Sequence, residues 1–151
     1  MNEHSLWQKE NVKLILVLCI GLVLLISCGE PNLDDPKVRA KILAEAIDEN
    51  DLQIQHTPGG EERYYTPNQQ RLHTGWVKST SELWQLKQGK KHGIYISWYE
   101  NSQKRSEGTY KDGSKDGLWI EWDERGQKRS EGAYKDGLKS GAWIEYLRQN
   151  K

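Results

Sequence analysis

Carboxylate side chains recur at matching positions in the second half of this chain, and paired carboxylates are the groups that general acid–base catalysis uses. Glu107 and Glu131 occupy equivalent places 24 residues apart, and so do Glu121 and Glu145. A structural repeat explains this recurrence better, with each carboxylate pairing across strands with a lysine or arginine. We therefore predict no catalytic residue among them and no enzymatic activity.

Metal binding is the second chemistry that the residue types suggest. The chain has four histidines, His4, His56, His73 and His92. None is spaced from a cysteine or another histidine as zinc ligands are. Asp112, Asp116 and Asp136 offer oxygen to calcium, but such a site needs about six to eight oxygens. Each of these aspartates precedes a glycine, and Asp-Gly turns need no metal, so we predict no metal site and no cofactor.

Cys28 is a candidate for covalent lipid attachment. It follows an uninterrupted apolar run of 13 residues, Leu14 to Ile26. That run is shorter than the roughly 20 residues that span a bilayer, and it fits the apolar region of a signal peptide. The junction Leu25-Ile26-Ser27-Cys28-Gly29 resembles the lipobox of bacterial lipoproteins. In that family the chain is cut before the cysteine, whose sulfur carries a diacylglycerol.

The lipobox resemblance implies a location as well as a modification. Residues 1–27 would be a signal peptide, and the mature protein would be lipid-anchored at the bacterial cell envelope through Cys28. Gly29 resembles the residue of lipoproteins sorted to the outer membrane where there are two membranes. The alternative is an uncleaved anchor or a chance cysteine. The lipobox resemblance therefore predicts a membrane, contacted through the lipid anchor, as one partner of this chain.

Charge balance bears on the class of the other partner. The chain has 151 residues with 22 positive and 22 negative side chains, and no basic run exceeds two residues. Nucleic-acid binders usually carry a basic stripe. We therefore predict no nucleic-acid partner and expect an unidentified protein instead.

A repeat of 24 residues must position all of these side chains. The segments 94–117 and 118–141 are identical at 15 of 24 positions, and Gly93, Gly117 and Gly141 mark the same step. Self-similarity at a fixed period indicates units that bury their apolar faces by stacking on their neighbours. The sequence therefore predicts a repeat architecture.

Each unit is predicted to be a pair of antiparallel strands. An alternating apolar strand, 94–99, precedes a turn and a return strand, 104–110, and the Asp112-Gly113 pair suits a tight hairpin turn. The fold class is therefore mainly β, an elongated single-layer antiparallel sheet of β-hairpin repeats. A signal-peptide helix and one short amphipathic helix precede the sheet.

Domain boundaries follow from changes in composition along the chain. We predict a linker over 28–33 and an amphipathic helix over 34–50, with proline at its first turn. Degenerate β-hairpin repeats are expected over 51–92, and regular repeats of period 24 over 93–151.

Aromatic residues are the strongest candidates for a binding face. Alternation along the strands places Tyr95, Trp119 and Trp143, the aromatic row, on one side of the sheet. Gly108 and Gly132 lie within strands, where glycine usually marks a close approach, and we expect rings to lie flat on them. The row is either an open groove for a ligand or partner, or it is covered by lysine and arginine stems and neighbouring rings.

The last predicted strand, 142–147, is expected to form an open edge. Such edges invite β-addition or self-association. We therefore expect edge-strand self-association as a further interaction of this chain.

The repeated pattern resembles the MORN-repeat variant family of bacteria. It is carried by Gly117-Leu118-Trp119, Trp122, Gly126-Gln127-Lys128, Glu131-Gly132, Tyr134 and Asp136-Gly137. The resemblance implies an elongated sheet of hairpins that binds rather than catalyses, and such proteins are often labelled antitoxin components. Function is therefore predicted to be protein–protein interaction or scaffolding at the envelope. An antitoxin-like role, or phospholipid or glycan binding by the sheet, is the alternative.

Overall fold

The computed structural model describes residues 30–67 and 71–146. The predicted signal peptide, Cys28 and the end of the chain after Tyr146 lie outside the described residues. The chain divides into two units, Met1–Asp35 and Pro36–Lys151. In the first unit the described residues contain a turn, where the amide of Asp35 donates to the carbonyl of Asn32 at 3.2 Å. In the part that is described, no helix is long and apolar enough to cross a membrane.

The described part of the second unit consists of one α-helix, a short 3-10 helix (Glu49–Asp51) and eleven strands. These are α1 Pro36–Glu45, β1 Ile47–Asp48, β2 Gln53–His56, β3 Glu62–Tyr65, β4 Gly75–Lys78, β5 Glu82–Lys87, β6 Lys90–Trp98, β7 Lys104–Lys111, β8 Ser114–Lys115, β9 Gly117–Trp122, β10 Lys128–Lys135 and β11 Leu138–Glu145.

Nine of these eleven strands form one sheet. Its order is β1-β4-β5-β6-β7-β9-β10-β11, with β8 also paired to β7, and a separate hairpin joins β2 to β3. All pairings are antiparallel except that of β1 with β4. The predicted fold class, a single-layer antiparallel sheet of hairpins with one short helix before it, is confirmed.

Helix α1 is shorter than the predicted segment 34–50. Pro36 begins it, but it ends at Glu45 because the next residues join the sheet. Ile47 pairs with Val77 in a parallel bridge, and a β-branched residue suits an extended backbone. The side chain of Asp48 then accepts the amide of Asn50 at 3.0 Å, which starts the 3-10 turn.

Tight turns fall where the sequence predicts them. Asp112 and Gly113 have φ of 50° and 94°, and Asp136 and Gly137 have φ of 50° and 83°. Two successive positive φ values give the twist that a two-residue hairpin needs. At the other turn, Ser102 stands where the next repeat has Gly126, and both adopt positive φ, 65° and 76°. The serine therefore keeps the turn conformation of the glycine.

Irregular pairing recurs near the glycines that mark the period. Between β5 and β6, Trp84 pairs with Tyr95 and Leu86 pairs with Lys91, so β6 carries two extra residues around Gly93. Gly93 has a φ of 94°, and Gly141 of β11 has 71° at the corresponding bulge opposite β10. A bulge bends its strand and increases the local twist. The glycines thus repeat the same bend along the sheet.

A hydrophobic cluster lies at the start of the sheet. It joins the buried side chains of Leu52 and Tyr64, from the segment around the β2–β3 hairpin, to Val77, Trp84 and Leu86 of β4 and β5. Trp84 is 1% exposed, whereas Leu138 of β11 is 75% exposed. Burial therefore decreases from the first strands of the sheet toward its last strand.

Candidate functional site

The aromatic row occupies one face of the sheet in continuous register. Tyr95 pairs with Gly108, and Gly132 pairs with Trp119 on one side and with Trp143 on the other. Aromatic residues and glycines therefore alternate across successive strands. The predicted placement of these three rings on one face is consistent with this register.

Both glycines act as floors for a tryptophan ring, as the sequence predicts. A Cβ atom built on Gly108 would lie 2.7 Å from Cγ of Trp119. A Cβ atom built on Gly132 would lie 2.7 Å from Cγ of Trp143. Real Cβ atoms do not approach that closely, so a side chain at either position displaces the indole.

Trp119 is the most enclosed ring of the row, at 2% exposure. Its centroid lies 5.4 Å from that of Tyr95 and 5.3 Å from that of Tyr110, the latter edge-on at 88°. Tyr134 closes the other side at 6.0 Å. The indole nitrogen donates to the carbonyl of Thr109 at 3.1 Å, so its polar atom is satisfied.

Lysines lie over the tryptophan rings at the repeat spacing. The Nζ atom of Lys115 is 3.8 Å from the ring centroid of Trp119, and that of Lys139 is 3.9 Å from Trp143. These are cation–π contacts, and burial lowers the pKa of Lys115. The sequence left open whether the row is an open groove or is covered by lysine and arginine stems and neighbouring rings. Trp119 is covered.

A concavity of about 320 Å³ lies beside the covered ring on the same face. Tyr95 and Trp119 contribute to its wall, whereas Trp143, one repeat further along, does not. Its other lining residues are Glu82, Ser97, Tyr99, Arg105, Ser106, Tyr110, Lys115, Glu121, Trp122 and Arg129. Two of the three residues predicted for the binding face therefore meet at one concave site.

Hydrogen bonds fix the carboxylates of this concavity. The Tyr95 hydroxyl donates to Glu82 at 2.8 Å, and the Ser130 hydroxyl donates to Glu121 at 3.0 Å. Burial, together with the bond to Glu82, raises the pKa of Tyr95. The phenol therefore stays protonated and the two carboxylates are held by hydroxyl donors.

Arg105 and Arg129 are the lining residues that the sequence interpretation missed. They are equivalent positions of successive repeats. Within residues 30–67 and 71–146 neither forms an ion pair, although the guanidinium carbon of Arg105 lies 5.9 Å from the ring centroid of Tyr99. Their recurrence beside a lysine at the 24-residue step was the available signal.

The predicted pairing of the repeated glutamates is wrong in detail. Glu107 and Glu131 are bound by Lys104 and Lys128 of their own strands, at 2.5 Å and 2.6 Å, rather than across strands. The carboxylates of these two glutamates are thus paired with lysines. The arginine that follows each lysine is left to line the concavity.

A wider open depression of about 1070 Å³ adjoins the first. Glu82, Tyr99 and Arg105 line both, and Arg39 of α1 and Trp98 of β6 extend the wider one. Through these three shared residues the two depressions form one surface that is open to solvent. Among the described side chains, no group of three or more histidine, cysteine or acidic residues is placed to hold a metal ion.

Comparison with known proteins gives one family match. Residues 91–112 and 115–136 match the model described as MORN repeat variant, so two such repeats are present. Repeats of this kind serve protein or lipid interaction and are not typically enzymatic. No curated protein matches the chain significantly.

One solved structure shows a weak likeness to this chain. It is the crystal structure of a mutant of S. aureus TarM in complex with fondaparinux, alpha-GlcNAc-glycerol and UDP. The sequences are 12% identical, the match covers 71% of this chain and 23% of that chain, and the TM-score is 0.27. This chain thus spans less than a quarter of that protein's length.

Proposed function

We propose that this protein is a membrane-tethered interaction module of the cell envelope that binds an acidic segment of a partner protein in the concavity beside Trp119. The observation that carries the proposal is the pair Arg105 and Arg129, which recurs with the repeat and forms no ion pair within the described residues. The presence of MORN-type repeats, which are binding modules, supports it.

Arginine chemistry defines the expected ligand. A guanidinium presents a planar fork that binds a carboxylate through two parallel hydrogen bonds. Lys115 adds a third positive charge to the same wall. Aromatic side chains beside these charges provide the apolar contact that interfaces favour. Aspartate or glutamate flanked by apolar residues is therefore the segment that suits this surface.

The breadth of the surface favours a protein over a small ligand. The concavity opens into the wider depression through Glu82, Tyr99 and Arg105, so an extended segment has a continuous path along it. The four turn and strand-end residues Tyr99 to Ser102 border this path. A partner would then contact both the aromatic face and the hairpin turns.

Tethering rests on the sequence around Cys28 and has its own test. Full-length protein produced in a bacterial host is expected in the membrane fraction and in solution only after detergent, since two or three acyl chains anchor stably. Cys28→Ser is expected to abolish lipid labelling of the protein. Cys19→Ser, in the predicted signal peptide, is the matched control and should retain the label. Equal labelling of wild type and Cys28→Ser would contradict the tether.

Partner binding is tested by removing the two arginine charges that form no ion pair within the described residues. The double variant Arg105→Gln and Arg129→Gln is expected to reduce in-cell crosslinking of the partner by at least about tenfold, because each charged hydrogen bond contributes about 1.5–3 kcal/mol. Arg125→Gln is the matched control, since Arg125 lies in a turn and does not line the concavity.

The same experiment separates the classes of ligand. Unchanged crosslinking in the double variant, or equal loss in Arg125→Gln, would overturn the proposed surface. Sedimentation of the Cys28→Ser protein with phospholipid vesicles or peptidoglycan forms a second arm. Sedimentation that depends on Arg105 and Arg129, without any protein crosslink, would assign the surface to lipid or glycan instead.

A further inference from the structure

Strand β11 forms one edge of the sheet. In the described part of the chain β10 is its only partner strand. Among the described residues, its apolar side chains are highly exposed, with Leu138 at 75% and Ile144 at 51%, and Tyr146, the residue after the strand, is 40% exposed. An exposed apolar edge is a template for another strand.

The interior of the sheet shows which pairing this edge would accept. In the preceding repeat, Gly117 pairs with Tyr134, Leu118 with Ala133, and Trp119 with Gly132. In this pairing each glycine faces an aromatic residue of the other strand, and the leucine between them faces an alanine. The equivalent residues of β11, Gly141-Ala142-Trp143, present the same pattern to an edge that no described strand covers.

We propose that β11 pairs antiparallel with β11 of a second copy of this chain, about a two-fold axis through Ala142. In that register Gly141 faces Trp143 of the second copy, Ala142 faces its counterpart, and Trp143 faces Gly141. The segment 141–143 therefore pairs an aromatic residue with a glycine at two places, as the interior strands do. This is possible because the segment runs in opposite directions in the two copies, which sets its glycine opposite the tryptophan of the other copy.

The rest of the strand is also complementary in this register. Lys139 falls opposite Glu145 of the second copy, which places opposite charges together on the aromatic face. Leu138 falls opposite Tyr146, so two exposed apolar side chains cover each other on the other face. A two-fold pairing repeats every such contact, as in an isologous interface.

The pairing extends the aromatic row across two molecules. A two-fold axis perpendicular to the sheet keeps both aromatic faces on the same side. Trp143, the least covered tryptophan of the row, gains a strand beside it as Trp119 has. The dimer would present two copies of the arginine-lined concavity on one face. This inference does not depend on what that concavity binds.

Disulfide trapping tests the two-fold axis directly. Full-length protein with Cys19→Ser and Cys28→Ser, purified in detergent, receives Ala142→Cys. Directly opposed residues of antiparallel strands have Cα atoms about 4.5–5.5 Å apart, within reach of a disulfide. Mild oxidation is expected to give mostly covalent dimer. Leu118→Cys, the same position one repeat earlier, should stay monomeric because β7 and β10 flank it.

A mixing experiment tests the register. Ser140→Cys and Ile144→Cys are each expected to give little covalent dimer alone, and a mixture of the two should give a heterodimer, since residues 140 and 144 face each other. Dimer from Ile144→Cys alone at the level of Ala142→Cys would overturn the register. Equal trapping of Leu118→Cys and Ala142→Cys would overturn the interface.

A charged residue at position 142, on the proposed two-fold axis, provides an independent test of the dimer. Ala142→Lys sets like charges opposite each other and is expected to shift the full-length protein in detergent from dimer to monomer in sedimentation velocity. Leu118→Lys should leave the dimer intact, and thermal melts check that both variants are folded. A monomeric wild type at micromolar concentration would overturn the proposal. These assays use purified protein alone, so their failure is distinct from failure to capture a partner.

Discussion

Replacement of Trp119 by alanine is expected to lower the free energy of unfolding by about 3–5 kcal/mol. The ring is 2% exposed and rests on Gly108, with Tyr95, Tyr110 and Tyr134 around it. Removing it leaves a cavity between two repeats that a single layer of strands has no second element to fill. The loss therefore falls on the coupling between neighbouring units, which holds a repeat protein together.

Trp143 provides the matched comparison for this substitution. It has the same glycine floor and lysine cover as Trp119, but among described rings it contacts Tyr134 alone, at 5.1 Å. We expect Trp143→Ala to cost roughly half as much, because fewer contacts are lost. Urea denaturation followed by circular dichroism measures both. Equal losses at the two positions would contradict a special role for the interior ring.

A methyl group added at Gly108 is expected to destabilise the fold by about 1–3 kcal/mol. Its Cβ atom would lie 2.7 Å from Cγ of Trp119, and the indole is held on its other side by Lys115. The ring must then tilt out of its place between the tyrosines. Equilibrium unfolding of Gly108→Ala measures the effect.

Two further variants show whether the effect of Gly108→Ala is steric. At Gly59 the nearest atom to an added Cβ is Oγ1 of Thr57, at 3.9 Å, so Gly59→Ala should leave stability unchanged or slightly higher. Combining Gly108→Ala with Trp119→Ala should cost less than the sum of the two, since the clash disappears with the ring. Strict additivity would refute the glycine-floor interpretation.

The period of the sequence was enough to predict the fold class and the glycine floors. Gly108 and Gly132 stand within strands one period apart, where glycine usually marks a close approach. The Asp-Gly turns could also be predicted, because an Asp-Gly pair tolerates the two positive φ values that a tight hairpin turn requires. These features are local or repeat at a fixed step, so a single sequence reports them.

Two kinds of feature could not be predicted from the sequence: which partner a charged side chain binds, and which distant segments pair. The sequence could not show that Lys104 and Lys128 bind glutamates of their own strands, which leaves Arg105 and Arg129 available. It overestimated α1, since the bridge from Ile47 to Val77 is a contact between segments far apart in sequence. The lipid on Cys28 and the antitoxin label stay predictions.

The succession of strands has a consequence for how such a chain can change in length. From β4 to β11 the strands of the sheet follow chain order, except that the short strand β8 pairs with β7 alone, and within the described residues the sheet does not close on itself. A duplication of one 24-residue unit would bring its own glycine floor, tryptophan, lysine and turn. No distant pairing would have to be rebuilt, so duplication of whole units can lengthen the binding surface while conserving its local architecture.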